Sequence, residues 1–178
     1  MLNNFIFYDF VYEKSELIRM REFCERSQWI RIGNTTENSS IKRFFTSSEV
    51  VLDTGILIGT YLKFIPELPA SCLDEGFSKS GGCLPDVKLA RYDAGDYYEW
   101  HCDCWETHKQ ALGWKRQLSS ITYLNDNYEG GETEFDCGKV IKPEMGKTLI
   151  FPSSWLFPHR GRKVTKGTKY IYINHVWT

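Results

Sequence analysis

Residues 91–103 read RYDAGDYYEWHCD, and the reading of this stretch decides the fold. It ends in His101-Cys102-Asp103. Along a β-strand, residues two apart project to the same face, so a strand here would set an imidazole and a carboxylate side by side in one cavity. Two such groups hold a metal weakly and call for a third ligand. His159, in FPSSWLFPHRG, supplies a candidate. Two histidines and one carboxylate form a facial triad that suits iron and leaves its opposite face open for substrate and oxygen. Ten residues beyond His159 stands Lys169, a cation positioned to meet the far end of a bound acid.

Working outward, the segments after residue 86 alternate between short apolar runs and turn signals. The runs are Val87–Arg91, Gln117–Leu124, Lys139–Ile141, Thr148–Phe151 and Lys169–Trp177. The turns fall at Asp93-Ala94-Gly95, Glu129-Gly130-Gly131, Cys137-Gly138 and Lys166-Gly167. Short strands at such spacing predict a β-sandwich or barrel. In the last run, alternation puts Lys169, Ile171, Ile173, His175 and Trp177 on one face. If Lys169 points inward, His175 and Trp177 do too.

Upstream, residues 2–12 (LNNFIFYDFVY) predict an opening strand. Residues 13–28 carry Leu17, Met20, Cys24 and Gln28 at helical spacing among charges, which predicts an amphipathic helix laid on a sheet. Residues 33–48 are polar and rich in Gly, Ser, Thr and Asn, as in a loop. Residues 49–66 fit either strand or helix. Residues 67–86 hold two prolines and three glycines and suggest a mobile loop or a plain surface excursion. The chain is expected to form one domain over 1–178, with N-terminal support over about 1–66 and a core over about 87–178.

With 178 residues the chain can bury a sizeable core, and its 15% aromatic content suits a β-rich core or an aromatic-lined pocket. Lys and Arg total 22 against 23 Asp and Glu, with no long basic tract, so a nucleic-acid partner is not expected. No apolar run spans a membrane and no leader opens the sequence, which points to a cytoplasmic protein. The six cysteines are expected as free thiols. A zinc site at Cys102-x-Cys104 is disfavoured, because structural zinc pairs are spaced C-x2-C or wider.

The ordered set Tyr92-x-x-Gly95, Tyr98, His101-x-Asp103, Arg116, Tyr123-Leu124-Asn125, Gly130-Gly131-Glu132-Thr133-x-Phe135, Gly146, His159 and Val164-Thr165-x-Gly167-x-Lys169-Tyr170 resembles the 2-oxoglutarate- and Fe(II)-dependent dioxygenases, and within them the prolyl 4-hydroxylase group. The resemblance covers residues 91–177. It implies a mainly β protein with flanking helices, a double-stranded β-helix of jelly-roll or cupin type. It implies Fe(II) on His101, Asp103 and His159, and 2-oxoglutarate held by Lys169 with Tyr92, Tyr123 and Thr133. Tyr98 and Arg116 match substrate-contacting positions, and ascorbate is a further candidate cofactor. Lysine offers a point charge where most of the superfamily uses a two-pronged arginine, so the hydroxyls must help it. His175 departs from the family's usual tryptophan and Lys163 from a frequent proline. His175 and Trp177 are expected at the substrate pocket, and His108 on the surface.

The activity so implied is hydroxylation of a prolyl residue in a peptide or protein, coupled to decarboxylation of 2-oxoglutarate to succinate. Rivals are the same chemistry on a free amino acid or other small molecule, a nucleic-acid demethylase, and a non-catalytic β-barrel binding module. Near-neutral charge weighs against nucleic acid. An intact triad weighs against a mere binder, which needs no open metal face.

Overall fold

The structure, a computed structural model, describes residues 2–29, 31–32, 41–45, 88–104 and 116–177, with the side chains of 31–32, 41–45 and 177 left aside. The expectations for 49–66 and 67–86 and for His108 lie outside the described residues, as does most of the loop expected over 33–48.

The chain opens with a 3-10 turn, Leu2–Phe5, then strand β1, Phe7–Phe10, and helix α1, Lys14–Arg26. The expected single strand over 2–12 is therefore shorter and preceded by a turn. The helix ends at Arg26, two residues before Gln28, which is exposed. Its first turn is tied down by the Glu16 carboxylate, which accepts from the Glu13 backbone N–H at 3.2 Å. The remaining strands are β2 Arg31–Ile32, β3 Ile41–Phe45, β4 Lys88–Asp93, β5 Tyr98–His101, β6 Arg116–Tyr123, β7 Glu129–Gly130, β8 Thr133–Phe135, β9 Val140–Ile141, β10 Lys147–Pro152, β11 His159–Gly161, β12 Val164–Lys166 and β13 Thr168–Trp177. Strand β3 falls within the stretch read as a loop from its polar composition.

Seven strands form an antiparallel major sheet in the order β1-β10-β6-β13-β4-β3-β2. Four form a minor sheet, β5-β11-β8-β9, and β12 pairs with β7. Strict alternation separates two apolar cores. One face of the major sheet, with Leu89, Leu118, Ile150, Tyr172 and Val176, packs on Leu17, Met20 and Cys24 of the helix. The opposite face, with Ala90, Tyr92, Ile121, Tyr123, Leu149, Phe151 and Ile171, packs on Phe135, Ile141, Phe157 and Val164 of the facing strands. Neighbouring residues such as Leu149 and Ile150 go to different cores, so a register slip by one residue would invert both. The space between the sheets is where the candidate site sits.

Among the described residues no helix is long and apolar enough to cross a membrane. The described cysteines, Cys24, Cys102, Cys104 and Cys137, stand outside disulfides. Burial pushes the Cys24 thiol up to about 12, as expected of a core residue that behaves as a small hydrophobe.

Candidate metal and co-substrate site

The minor sheet carries the metal-ligand candidates. His101 ends β5 and His159 begins β11, and the two are register partners across the antiparallel pair. Asp103 lies in the turn after β5 and not on the strand, which corrects the expected strand geometry of His101-x-Asp103. The turn swings the carboxylate between the two imidazoles: Asp103 Oδ1 is 3.7 Å from His101 Nε2, and Oδ2 is 3.8 Å from His159 Nε2. One ligand atom from each of the three lies within 4.8 Å of the others. The Asp103 backbone is fastened in turn, its carbonyl accepting from Arg116 Nη1 at 2.6 Å.

The protonation pattern suits a metal. His101 Nδ1 is 2.8 Å from the Glu99 carbonyl and His159 Nδ1 is 3.1 Å from that of Phe157. A carbonyl can only accept, so both Nδ1 atoms carry hydrogen and each ring turns its Nε2 toward Asp103 as the candidate ligand atom. Phe135 and Phe151 wall the His159 ring at 5.5 and 4.8 Å between centroids, and Tyr98 meets His101 edge-on at 4.1 Å. Burial would raise the Asp103 carboxyl, but the His159, His175 and His101 imidazoles hold it well below the usual carboxylate range. Two imidazoles and one carboxylate, all nitrogen and oxygen donors, fit Fe(II).

Lys169, on β13, is 2% exposed. Its ammonium donates to the Gly131 carbonyl at 2.6 Å and lies 5.1 and 5.4 Å from the ring centres of Tyr92 and Tyr123. Among the described residues no carboxylate reaches ion-pair distance of it. Burial pulls it down to about 7, with the Glu132 carboxylate opposing that fall. A cation so placed fits an anionic ligand. Gly131 makes the cradle possible: its φ is +70°, and a Cβ there would lie 3.1 Å from Lys169 Cδ and from Val164 Cγ2.

One cavity of about 380 Å3 joins these parts, lined by Asp103, His101, His159, Tyr92, Thr133 and Lys169 among others. Tyr123 is fully buried beneath it and lies outside the lining; its hydroxyl pairs with Thr133 Oγ1 at 2.7 Å. The structure thus puts Tyr123 one layer behind Thr133, where burial pushes its phenol up and keeps it neutral. Tyr98 and Arg116 line the cavity, and so does His175, which is 3% exposed with Nε2 3.6 Å from Asp103 Oδ2. The Trp177 backbone pairs with Arg116, and its side chain is not described. Cys102, which strand alternation would turn away from His101, lines the cavity, because the turn ends the strand. Sequence reasoning missed Lys88, Arg160 and Ile121; Ile121 joins Ile171 and Ile173, which alternation had set on the face of Lys169, in an isoleucine wall. For Lys88 the signal was present: it shares strand parity with Tyr92.

Residues 87–177 match the family model described as 2OG-Fe(II) oxygenase superfamily. The chain is similar to probable prolyl 4-hydroxylase 3 of Arabidopsis thaliana, 29% identical over 169 residues, covering 78% of this chain and 56% of the relative. It spans about half the length of the first curated relatives it matches. Among solved structures, viral collagen prolyl hydroxylase from Paramecium Bursaria Chlorella virus-1, in its 2OG complex, is similar at 19% identity and a TM-score of 0.63, covering 98% of this chain and 96% of that one. A prolyl hydroxylase from Trichoplax adhaerens, in complex with a hypoxia inducible factor peptide fragment, is similar at 17% identity and a TM-score of 0.62, covering 98% and 85%. At these identities the structural likeness shows the fold, which is a double-stranded β-helix.

Proposed function

From its place in the 2OG-Fe(II) oxygenase superfamily, to which the chain belongs, we infer that it hydroxylates a prolyl residue in a peptide or protein with 2-oxoglutarate as co-substrate. One observation carries this reading: the His101–Asp103–His159 cluster and the buried Lys169 open into the same cavity. A site built only to bind a metal has no use for a second, buried cation across the pocket.

His101, Asp103 and His159 would hold Fe(II). Bound there, the iron supplies the oxygen activation that couples 2-oxoglutarate decarboxylation to hydroxylation. The protein's own contribution is placement. Backbone carbonyls fix both imidazole tautomers before any ligand arrives. Lys169 holds the distal carboxylate of 2-oxoglutarate, with the Thr133 hydroxyl, braced by Tyr123, as a second donor. Tyr92 covers the ammonium and excludes water from that end, which strengthens the ion pair. Ile121, Ile171 and Ile173 give the centre of the cavity an apolar floor. Tyr98 offers a flat apolar wall to a proline ring, while Arg116 steadies the Asp103 turn and borders the substrate.

The prolyl preference rests on the prolyl hydroxylases among the similar proteins. The described cysteines outside disulfides support a reducing compartment such as the cytoplasm. The test is 2-oxoglutarate consumption by the purified protein with Fe(II), alone and with proline-containing peptides. Stimulation by such peptides is expected. Stimulation by free amino acids and by no peptide would move the assignment to a small-molecule hydroxylase.

A further inference from the structure

Asp103 has three imidazoles around it, and a facial triad uses two. His101 and His159 come from the minor sheet, on β5 and β11. His175 comes from β13 of the major sheet, on the face that carries Lys169 and Ile171, and it lines the same cavity. It is 3% exposed. Its Nε2 lies 3.6 Å from Asp103 Oδ2, closer than His101 Nε2 comes to Oδ1 at 3.7 Å or His159 Nε2 to Oδ2 at 3.8 Å.

The third ring is set apart from the other two. The donor atoms that all lie within 4.8 Å of one another belong to His101, Asp103 and His159, and among the described residues His175 does not join that set. A metal shared by the three displaces any hydrogen from the Nε2 atoms of His101 and His159, because a ligand nitrogen must be bare. His175, outside the set, keeps its own. Burial opposes the charge on Asp103, but the surrounding imidazoles keep it ionised, so its oxygens only accept. The nitrogen that faces Oδ2 from β13 is therefore a donor.

The consequence concerns the open face of the metal. An octahedral ion held on one face has the other to offer substrate and oxygen. A carboxylate that gave both oxygens would take up part of that second face. A donor on Oδ2 restricts Asp103 to one. The backbone of the same residue is already fixed, its carbonyl accepting from Arg116 Nη1 at 2.6 Å. Arg116 is the register partner of Trp177, two residues along β13 from His175. The major sheet thus grips Asp103 at two points, one on the backbone and one on the carboxylate.

We propose that His175 is a positioning residue of the metal centre, donating from Nε2 to Asp103 Oδ2 so that the carboxylate offers the metal a single oxygen and the face opposite the triad stays open. This rests on the metal-site reading made in the proposed function and goes beyond it by giving His175 a task performed through Asp103.

The test has two parts. The first needs no substitution. Nitrogen NMR of the metal-free protein with labelled histidine should show hydrogen on His175 Nε2, and pulsed EPR of the Mn(II) protein should count two coordinated imidazoles. A bare His175 Nε2, or a third imidazole on the metal, overturns the proposal. The second part titrates Mn(II) into two variants that are first shown to unfold cooperatively. His175→Phe keeps a planar ring without a donor and should bind Mn(II) about 10-fold more weakly than the parent. His175→Gln keeps an N–H at similar reach and should recover most of that loss. Saturating metal masks the deficit, so affinity and not turnover is the readout. Unchanged affinity in His175→Phe, or a glutamine variant as weak as the phenylalanine one, overturns the proposal. A parent protein that binds no Mn(II) would sink the metal-site reading and the proposal together, whereas a third coordinated imidazole or an unaffected His175→Phe would sink the proposal alone.

Discussion

The buried ammonium of Lys169 makes co-substrate binding depend on pH in a way that can be worked out. With the group drawn down to about 7, roughly half of the ligand-free molecules carry the charge at pH 7. A 2-oxoglutarate dianion, fully ionised above pH 7, pairs with the protonated form, so the apparent dissociation constant grows as 1 + 10^(pH − pKa). Between pH 7 and 9 this weakens binding about 50-fold, or about 2.3 kcal/mol, in the limit where neutral Lys169 does not bind the carboxylate. Isothermal titration of the Mn(II) protein across that range, in two buffers of different ionisation enthalpy, reads both the slope and the proton taken up. Lys169→Arg keeps its charge throughout and should bind with little pH dependence. A flat curve for the parent, or the same slope in Lys169→Arg, would refute the reasoning. The same group sets a stability slope of known sign. Its folded value lies below the unfolded one of about 10.4. The unfolded chain therefore binds more protons between about pH 7 and 10, and ligand-free stability should rise with pH across that window. Lys169→Met should remove this dependence, raise the melting temperature at neutral pH and lose 2-oxoglutarate binding.

Other perturbations follow from single contacts. Arg116→Ala releases the Asp103 carbonyl and should weaken Mn(II) binding about 10-fold, as read by titration. Gly131→Ala forces a side chain into a +70° backbone and against Lys169 and Val164; it should cost about 1–3 kcal/mol in denaturant unfolding and raise the KM for 2-oxoglutarate. His175→Trp removes the ring nitrogen 3.6 Å from Asp103 Oδ2 and adds bulk in the cavity. It should keep 2-oxoglutarate turnover while re-ranking substrates, and an unchanged ranking in a peptide panel would show that His175 does not border the substrate.

Much of the catalytic half was legible because alternation is a strong constraint where both faces of a sheet are buried. The inward placement of Lys169, Ile171, Ile173 and His175 could be derived by counting along one strand, and Leu17, Met20 and Cys24 by counting along one helix. What escaped was whatever a turn decides. Asp103, expected in the cavity from strand alternation, reaches it from a turn, and Cys102 enters beside it, because the chain leaves the strand after His101 and no periodicity signals that point. The layering of Tyr123 behind Thr133 depends on how two sheets face each other, which a single strand does not encode. Strand β3 was read as a loop because its neighbours are polar, although its pairing with β4 gives it a tertiary reason to extend. Lys88 was overlooked for a different cause: parity placed it inward, but a lysine at the start of a strand reads by composition as a surface residue.

In the proposed function, the His101–Asp103–His159 cluster and Lys169 together drive 2-oxoglutarate-dependent hydroxylation of proline. The most direct measurement pairs two readouts on one reaction of the Fe(II) protein, 2-oxoglutarate, oxygen and a prolyl peptide panel: succinate formed, and oxygen gained by the peptide at proline. One succinate per hydroxylated proline is expected, with both products lost in Asp103→Ala while that variant still unfolds cooperatively. Succinate formation that survives Asp103→Ala, or oxygen gained at a residue other than proline, would contradict it.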